Sequence, residues 1–258
     1  MKRHDLLVII PAYNEEESLG EVLKQLERPE ISDIADVIII NDASSDDTEA
    51  LVRQSGHELL TLIYNMGYGS ALQSGYKYAT RRRYRYVIQM DADGQHDIKN
   101  IPLIYETLKT PDETGSCPDI VLGSRFLYEG NELKPTLGKE IAIAYFRAII
   151  KLFTGIRISD PTSGLQGLSY RTFNYFAGFD HFDDRYPDAN MLTQMLLLGC
   201  RLKEVPAIMH ERKSGRSMHS GIIRQIIYML RMTITVFAVG IRYGIMKEDK
   251  GVLDDVSF

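Results

Sequence analysis

The first 125 residues switch repeatedly between two hydrophobic periods, and this alternation restricts the possible folds more than any other feature. Short apolar runs, rich in β-branched residues, fall at 6–10 (Leu-Leu-Val-Ile-Ile), 36–40, 58–63, 85–90 and 118–122. Between the first two, residues 16–27 set Leu19, Val22, Leu23 and Leu26 at the i, i+3, i+4, i+7 spacing of one helix face. Ser44, Ser45 or Asp46 can cap a second helix, and 68–81 reads as a third. Strands that alternate with helices pair in parallel, because a crossover must carry the chain back before the next strand begins. Unbroken apolar strands suit a sheet covered on both faces. The expected fold is α/β: one Rossmann-like domain with a mostly parallel central sheet flanked by helices.

The second half is less regular. Residues 135–155 and 186–199 read as helical, and 164–169 and 202–208 as extended. No linker, repeat or low-complexity tract divides the chain, so 1–215 reads as one domain and 216–258 as an appended helix and tail. A length of 258 residues supplies ample core. The formal charge of −5 argues against a nucleic-acid binder with a basic surface. Two distant cysteines, Cys117 and Cys200, point to a reducing compartment without structural zinc. The short apolar run after Asp5 lacks the length and cleavage site of a signal peptide. A cytoplasmic protein is expected.

Open α/β sheets bind ligands at the carboxyl ends of their strands, so the residues just after each run belong together. These are Pro11-Ala12-Tyr13-Asn14-Glu15, Asn41-Asp42-Ala43-Ser44-Ser45, Asn65-Met66-Gly67-Tyr68-Gly69-Ser70-Ala71, Asp91-Ala92-Asp93-Gly94-Gln95 and Gly123-Ser124-Arg125. Any one could be a turn or a helix cap. Five on one edge make a site. Asp91 and Asp93, one residue apart, point to the same side of an extended chain and repel unless a cation lies between them. Mg²⁺ or Mn²⁺ takes one or two carboxylates and completes its shell with water and phosphate oxygens. Gly67-Tyr68-Gly69 is not a dinucleotide fingerprint, because Leu72 stands where the third glycine should be and the motif follows the third strand. Its glycines would instead let backbone approach a base or ribose.

In order and spacing, these five clusters resemble the family-2 inverting glycosyltransferases of the A-type glycosyltransferase fold. Within that family the sequence is most similar to dolichyl- or polyprenyl-phosphate sugar synthases, over residues 5 to 220. The resemblance implies that Pro11, Ala12, Tyr13 and Glu15 line the base and ribose site, with Asp42 contacting the base. Gly67 and Ala71 would shape the same pocket. Asp91, Ala92 and Asp93 would meet the nucleotide sugar, and Asp91, Asp93 and Gln95 would hold the metal and the donor diphosphate. The family usually follows its Gln-His pair with proline. Here Asp97 follows, and the pattern does not explain it.

In the second half, Ser159-Asp160-Pro161-Thr162-Ser163-Gly164 reads alone as a capped turn. The resemblance sets it near the sugar and acceptor, with Asp160 a candidate there. The basic stretch 211–220 resembles the Arg-x-x-Gly-x-Ser motif of polyprenyl-phosphate enzymes, through Arg212, Gly215 and Ser217. Arginine binds phosphate bidentately, which makes Arg212 and Arg125 candidates for phosphate contact. Lys213 and Arg216 read equally well as solvated surface charge. Asp183, Asp184 and Asp188 offer a general base, needed only for a hydroxyl acceptor, because a lipid phosphate is already ionised near neutral pH.

Residues 222–247 are apolar but interrupted by Arg224, Arg231 and Arg242. That suits a helix lying on a membrane surface, arginines reaching lipid phosphates, better than a span. The rival is a helix packed in a homo-oligomer or against a partner. The expected activity is metal-dependent, inverting transfer of one sugar from a nucleotide donor to a polyprenyl phosphate at the cytoplasmic membrane face. Alternatives are transfer to a hydroxyl of a growing surface glycan, and a non-catalytic nucleotide-sugar-binding subunit.

Overall fold

The five apolar runs become strands β1 (Leu6–Ala12), β2 (Ala35–Asn41), β3 (Glu58–Thr61), β4 (Tyr86–Gln89) and β5 (Ile120–Ser124). Two more follow, β6 (Gln166–Ser169) and β7 (Leu202–Pro206). This computed structural model describes residues 3–130, 137–211, 222–249, 251–254 and 256. The helices are α1 (Glu16–Leu26), α2 (Pro29–Ser32), α3 (Thr48–Ser55), α4 (Tyr68–Arg81), α5 (Asn100–Lys109), α6 (Leu137–Thr154), α7 (Tyr170–Phe176), α8 (Ala189–Leu197) and α9 (Ile222–Val239). A π-helical segment, Gly240–Ile245, continues α9.

The sheet order is β3-β2-β1-β4-β6-β5-β7. All neighbours pair in parallel except β6, which runs antiparallel to both β4 and β5. Reversal of β6 has a consequence for the site. The carboxyl ends of β1 to β5 share one edge, and the segment leading into β6 arrives at that same edge. Residues 159–164 therefore join the other loops.

Every residue of β1 is buried, as a covered parallel sheet requires. Its side chains alternate between two cores. Leu7 and Ile9 face a cluster with Ile38, Ile40, Tyr76, Phe146 and Phe173, beneath α4, α6, α7, α8 and α9. Leu6, Val8 and Ile10 face the other, with Leu19, Leu23, Ile39, Val52 and Ile101, beneath α1, α3 and α5. Helix α5 was not among the sequence expectations, although Ile101, Ile104 and Leu108 carry the helical spacing. Pro102 sits in its first turn, where a missing N–H leaves no bond unmade.

The C-terminal helix shares the first core through Met232, Val236 and Tyr243. Phe153 of α6 meets Phe237 edge-on at 5.3 Å. On the opposite side Ile227, Leu230, Ile234, Phe237, Ile241 and Ile245 form an exposed apolar stripe. Gln225–Ile245, with mean hydropathy 1.4, is long and apolar enough to cross a membrane by length and composition. The arginines expected to reach lipid are engaged elsewhere. Arg242 pairs with Glu248 at 2.7 Å, and Arg231 lies 5.5 Å over the Tyr186 ring. The side chain of Arg224 lies outside the described residues.

Candidate active site

The amino-terminal loops are held by side chain-to-backbone bonds. Asn14 and Ala43 adopt left-handed backbone at φ 54° and 57°. The Asn14 amide donates to Ser44 Oγ at 3.0 Å, and Asn14 Oδ1 accepts from the Ser45 amide at 2.8 Å. This clasps the end of β1 to the end of β2. Tyr13 projects from the clasp, 47% exposed. The Glu15 amide donates to Thr48 Oγ1, and its carboxylate accepts from Ser18 Oγ at 2.8 Å.

Several residues expected to line the nucleotide site lie inward of it. Asp42 is 3% exposed, and its two oxygens accept the Met66 and Gly67 amides at 2.7 and 2.8 Å. Those bonds hold the loop between β3 and α4. Ala12 and Ala92 are each 3% exposed, and Ala71 is fully buried in the core, so these back the site's wall. Pro11 is buried within β1. Gly67, at φ 93°, turns the chain into α4. Gly69 serves a purpose the sequence did not indicate. A β-carbon there would stand 2.0 Å from the Asp183 carbonyl, so the glycine admits this chain's own 183–184 loop. The Ser70 amide donates to the Asp184 carbonyl at 3.1 Å, satisfying one free donor of the α4 N-terminus. Ile63, Tyr64 and Met66 form an exposed apolar group on this loop that sequence reasoning did not single out.

The acidic loop begins where β4 ends. Asp91 does not continue the strand, so it and Asp93 face different partners. Asp91 Oδ1 accepts from the Tyr68 hydroxyl at 2.9 Å, and its Oδ2 meets His96 Nε2 at 3.2 Å. Burial, then the charge of Asp91, push the Tyr68 phenol well up, which keeps it a donor. Asp93, 8% exposed, accepts the Gln95 amide at 3.0 Å. Gly164 packs against Asp91, its missing β-carbon 3.0 Å from Oδ2. His96 Nδ1 is buried with no hydrogen-bond partner among the described residues. Among them, no three His, Cys, Asp or Glu side chains converge into a metal centre. Two carboxylates and the Gln95 amide are nevertheless hard oxygen donors, a set that fits Mg²⁺ or Mn²⁺ once water and diphosphate oxygens complete the shell.

Asp97 has a structural explanation. Its Oδ1 accepts the Lys99 amide at 2.9 Å, and its Oδ2 meets His210 Nε2 at 2.9 Å. The His210 amide donates to the Gln95 carbonyl at 2.8 Å, and the Asp97 amide to the Ile208 carbonyl at 3.3 Å. Asp97 thus faces the 208–210 segment and joins the acidic loop to it.

The second-half residues bind one another over long separations. Arg125 Nε donates to Asp160 Oδ2 at 2.6 Å and Nη2 to Oδ1 at 3.1 Å. Asp160 is fully buried, so this fork carries its charge. The Ser159 and Asp160 amides both donate to Glu204 Oε1, at 2.9 and 3.2 Å. Arg125, expected to meet a phosphate, is paired here with Asp160 and remains partly exposed. Asp183 accepts the Arg185 and Tyr186 amides at 2.9 Å and the Asn190 side-chain amide at 2.8 Å, bonds that shape its loop. Asp188 is different. It stands at the N-cap of α8 yet makes no side-chain cap bond. Its Oδ2 accepts from the Tyr228 hydroxyl of α9 at 2.8 Å. Burial raises the Asp188 carboxyl to about 6; Tyr228 opposes this, Asp91 and Asp183 add to it, and Arg125 lowers it. Arg212, Lys213, Gly215, Arg216 and Ser217 lie outside the described residues. Tyr68, Glu204 and Tyr228 were missed by sequence reasoning. Only Tyr228 left a signal, as an aromatic with a polar tip in an apolar helix.

This edge, acidic loops beneath a mostly parallel sheet with one reversed strand, defines a nucleotide-sugar-dependent transferase of the A-type fold. Residues 7–175 match the profile described as "Glycosyl transferase family 2". The chain belongs to that family, and is a glycosyltransferase. It is 32% identical over 225 residues to "Undecaprenyl-phosphate mannosyltransferase" of Micrococcus luteus, covering 84% of this chain and 88% of that one. It is 27% identical to "Dolichyl-phosphate beta-glucosyltransferase ALG5A" of Trichomonas vaginalis, over 89% of this chain and 73% of the relative. Among solved structures, a Pyrobaculum calidifontis mannosyltransferase "in complex with GDP-Man and Mn2+" superposes with TM-score 0.61 and 21% identity, over 90% of this chain and 65% of that one. Glucosyl-3-phosphoglycerate synthase of Mycobacterium tuberculosis, with Mn²⁺ and UDP-glucose, gives 0.61 at 19% identity, over 91% and 78%. At these identities the two structures speak to the fold.

Proposed function

We propose that the protein moves one sugar from a nucleotide-diphosphate sugar to a polyprenyl phosphate, with inversion and with Mg²⁺ or Mn²⁺, at the cytoplasmic face of a membrane. The observation that carries this is α9, which pairs an exposed apolar stripe with a side chain reaching into the site. An acceptor with a long isoprenoid tail needs such a neighbour. The names of the Micrococcus and Trichomonas relatives support the same acceptor class. Because Met232, Val236 and Tyr243 are committed to the core, α9 lies along the membrane surface with its stripe toward lipid. Residues 1–215 form the catalytic unit in this reading, and 216–258 the surface helix and tail.

A phosphate oxygen of the acceptor attacks the sugar's anomeric carbon from the face opposite the diphosphate. The carbon–oxygen bond to the diphosphate breaks, and the nucleoside diphosphate leaves with the electron pair. No proton need move, since the acceptor is ionised near neutral pH. Asp91, Asp93 and Gln95 would hold the divalent ion, which offsets charge building on the leaving diphosphate. Tyr68 and His96 orient Asp91, while the Arg125–Asp160 pair fixes the loop facing the sugar. Tyr13 and Glu15 are the accessible candidates for the nucleoside, and Arg212 for a phosphate.

One observation favours a second reading. A partly buried carboxyl raised to about 6, Asp188, is suited to take a proton from a hydroxyl acceptor. Labelled UDP-glucose and GDP-mannose, with Mn²⁺ and either undecaprenyl phosphate or a glycan acceptor, separate the two. The first reading expects label in a lipid product. Label in the glycan alone overturns it.

A further inference from the structure

We propose that Tyr228 is a positioning residue of the transfer reaction: its hydroxyl holds the Asp188 carboxylate toward the reacting side of the site, making α9 a working part of the active centre. This rests on the reading of the edge as a glycosyl-transfer site, and within it on the second reading, in which Asp188 takes the acceptor's proton.

An aspartate before a helix ordinarily turns its carboxylate onto the first free N–H groups. Asp188 holds that position, and its own carbonyl accepts the Met191 and Leu192 amides, but its carboxylate makes no cap bond. It accepts instead from a tyrosine forty residues later, at 2.8 Å. Forgoing a cap of about 1 kcal/mol is the behaviour of a side chain held for another purpose.

The donor is held as firmly as the acceptor. The Tyr228 ring lies between Phe146 of α6, at 6.4 Å and 74°, and Tyr186, at 5.4 Å and 77°. With its plane fixed by two edge-on contacts, the hydroxyl has one direction to point. Tyr228 is carried by the same helix, α9, as the exposed stripe.

The charges facing Asp188 explain why it needs a donor. Asp91 and Asp183 repel it and Arg125 attracts it, while the nearby Tyr68 phenol is held neutral and directed at Asp91. Two anions against one cation would turn the carboxylate away or protonate it. The Tyr228 hydroxyl opposes both.

The test is Tyr228→Phe in the full chain, alone and combined with Asp188→Asn, with nucleoside diphosphate release as readout. That readout serves any acceptor, water included. Phenylalanine keeps both ring contacts, so an unchanged Tm reports a folded variant. The expected result is a kcat about tenfold lower at unchanged donor KM, the worth of one hydrogen bond to a charged group. The acid limb of the kcat profile should also move to higher pH. In the Asp188→Asn background, Tyr228→Phe should have no further effect. A wild-type kcat in Tyr228→Phe, or an equal loss with and without Asp188, overturns the proposal. Release from neither a lipid phosphate, a glycan nor water overturns instead the transferase reading on which it rests.

Discussion

The two halves of this site are built differently. Around β1 to β4, backbone amides meet Asp42, through Met66 and Gly67, and Asp93, through Gln95, while Asp91 is the exception, met by the Tyr68 hydroxyl and His96. Beyond β5, side chain meets side chain across 35 to 40 residues, as in Arg125–Asp160 and Tyr228–Asp188. The first half is thus preformed largely by side chain-to-backbone bonds, within its loops and between them. The second half depends on pairs of groups, so losing one member strands the other. That difference sets the size and kind of effect each substitution should have.

Arg125→Ala should do the most damage. It leaves the fully buried Asp160 carboxylate without its cation. Breaking a buried pair from one side costs about 3–5 kcal/mol, read as a fall in denaturant midpoint at constant m. A loss below about 1 kcal/mol would show that the second half is as locally satisfied as the first. Asp93→Ala comes next, and there stability and activity should separate. Among the described residues Asp93 accepts the Gln95 amide of its own loop, so the fold should survive while metal-dependent transfer falls about 10²–10³-fold, the range for losing one group that stabilises developing charge. Wild-type turnover under complete chelation would remove the metal from the reading.

Gly69→Ala probes the seam between the halves. Its β-carbon would meet the Asp183 carbonyl at 2.0 Å, so either α4 or the 183–184 loop must shift. A cost of about 1–3 kcal/mol is expected, with weakened donor binding by calorimetry. The same seam shows why only part of the site was legible. The strand runs, α4 and all five strand-end clusters were readable because period and turn chemistry are local properties. Gly69 was misjudged because its reason lies 114 positions away in the chain. The antiparallel insertion of β6 was hidden likewise, since four residues, Gln-Gly-Leu-Ser, carry no mark of direction. Asp188 could be named from sequence, but Tyr228 could not be assigned to it.

Asp188 also gives the second half a pH signature. Its carboxyl sits near 6 when folded, above an ordinary value of 3.8. A raised carboxyl pKa means the native state binds the proton more tightly, so this group's stabilisation is complete below about 3.8 and is lost as pH rises through 6. Asp188→Asn removes the dependence. Relative to wild type, the variant should gain on the order of 1–2 kcal/mol between pH 4 and 7, seen as converging or crossing Tm curves. Parallel curves would mean the carboxylate is better solvated than its surroundings suggest.

The smallest effect belongs to Asp97, where the sequence leaves its family's pattern. A proline there would offer no side-chain acceptor, whereas aspartate takes the Lys99 amide and meets His210. The histidine side chain is half exposed, so its ion pair is weak, and most of the effect should come from the amide bond. Asp97→Ala should then cost about 1 kcal/mol, and His210→Ala only a few tenths. The burial that raises the Asp97 carboxyl is outweighed by the Lys99 amide and then His210, which leaves it lowered overall. That contribution is present above 3.8 and lost as pH falls through the folded value, opposite in sign to Asp188. The Gln95 carbonyl is held by the His210 amide, so Asp97→Ala should also loosen the acidic loop where it meets the second half. An Mn²⁺ affinity in Asp97→Ala equal to wild type would confine Asp97 to local capping. A weaker affinity, at a stability cost no larger than predicted, would make it the tie by which the pairwise half steadies the preformed one.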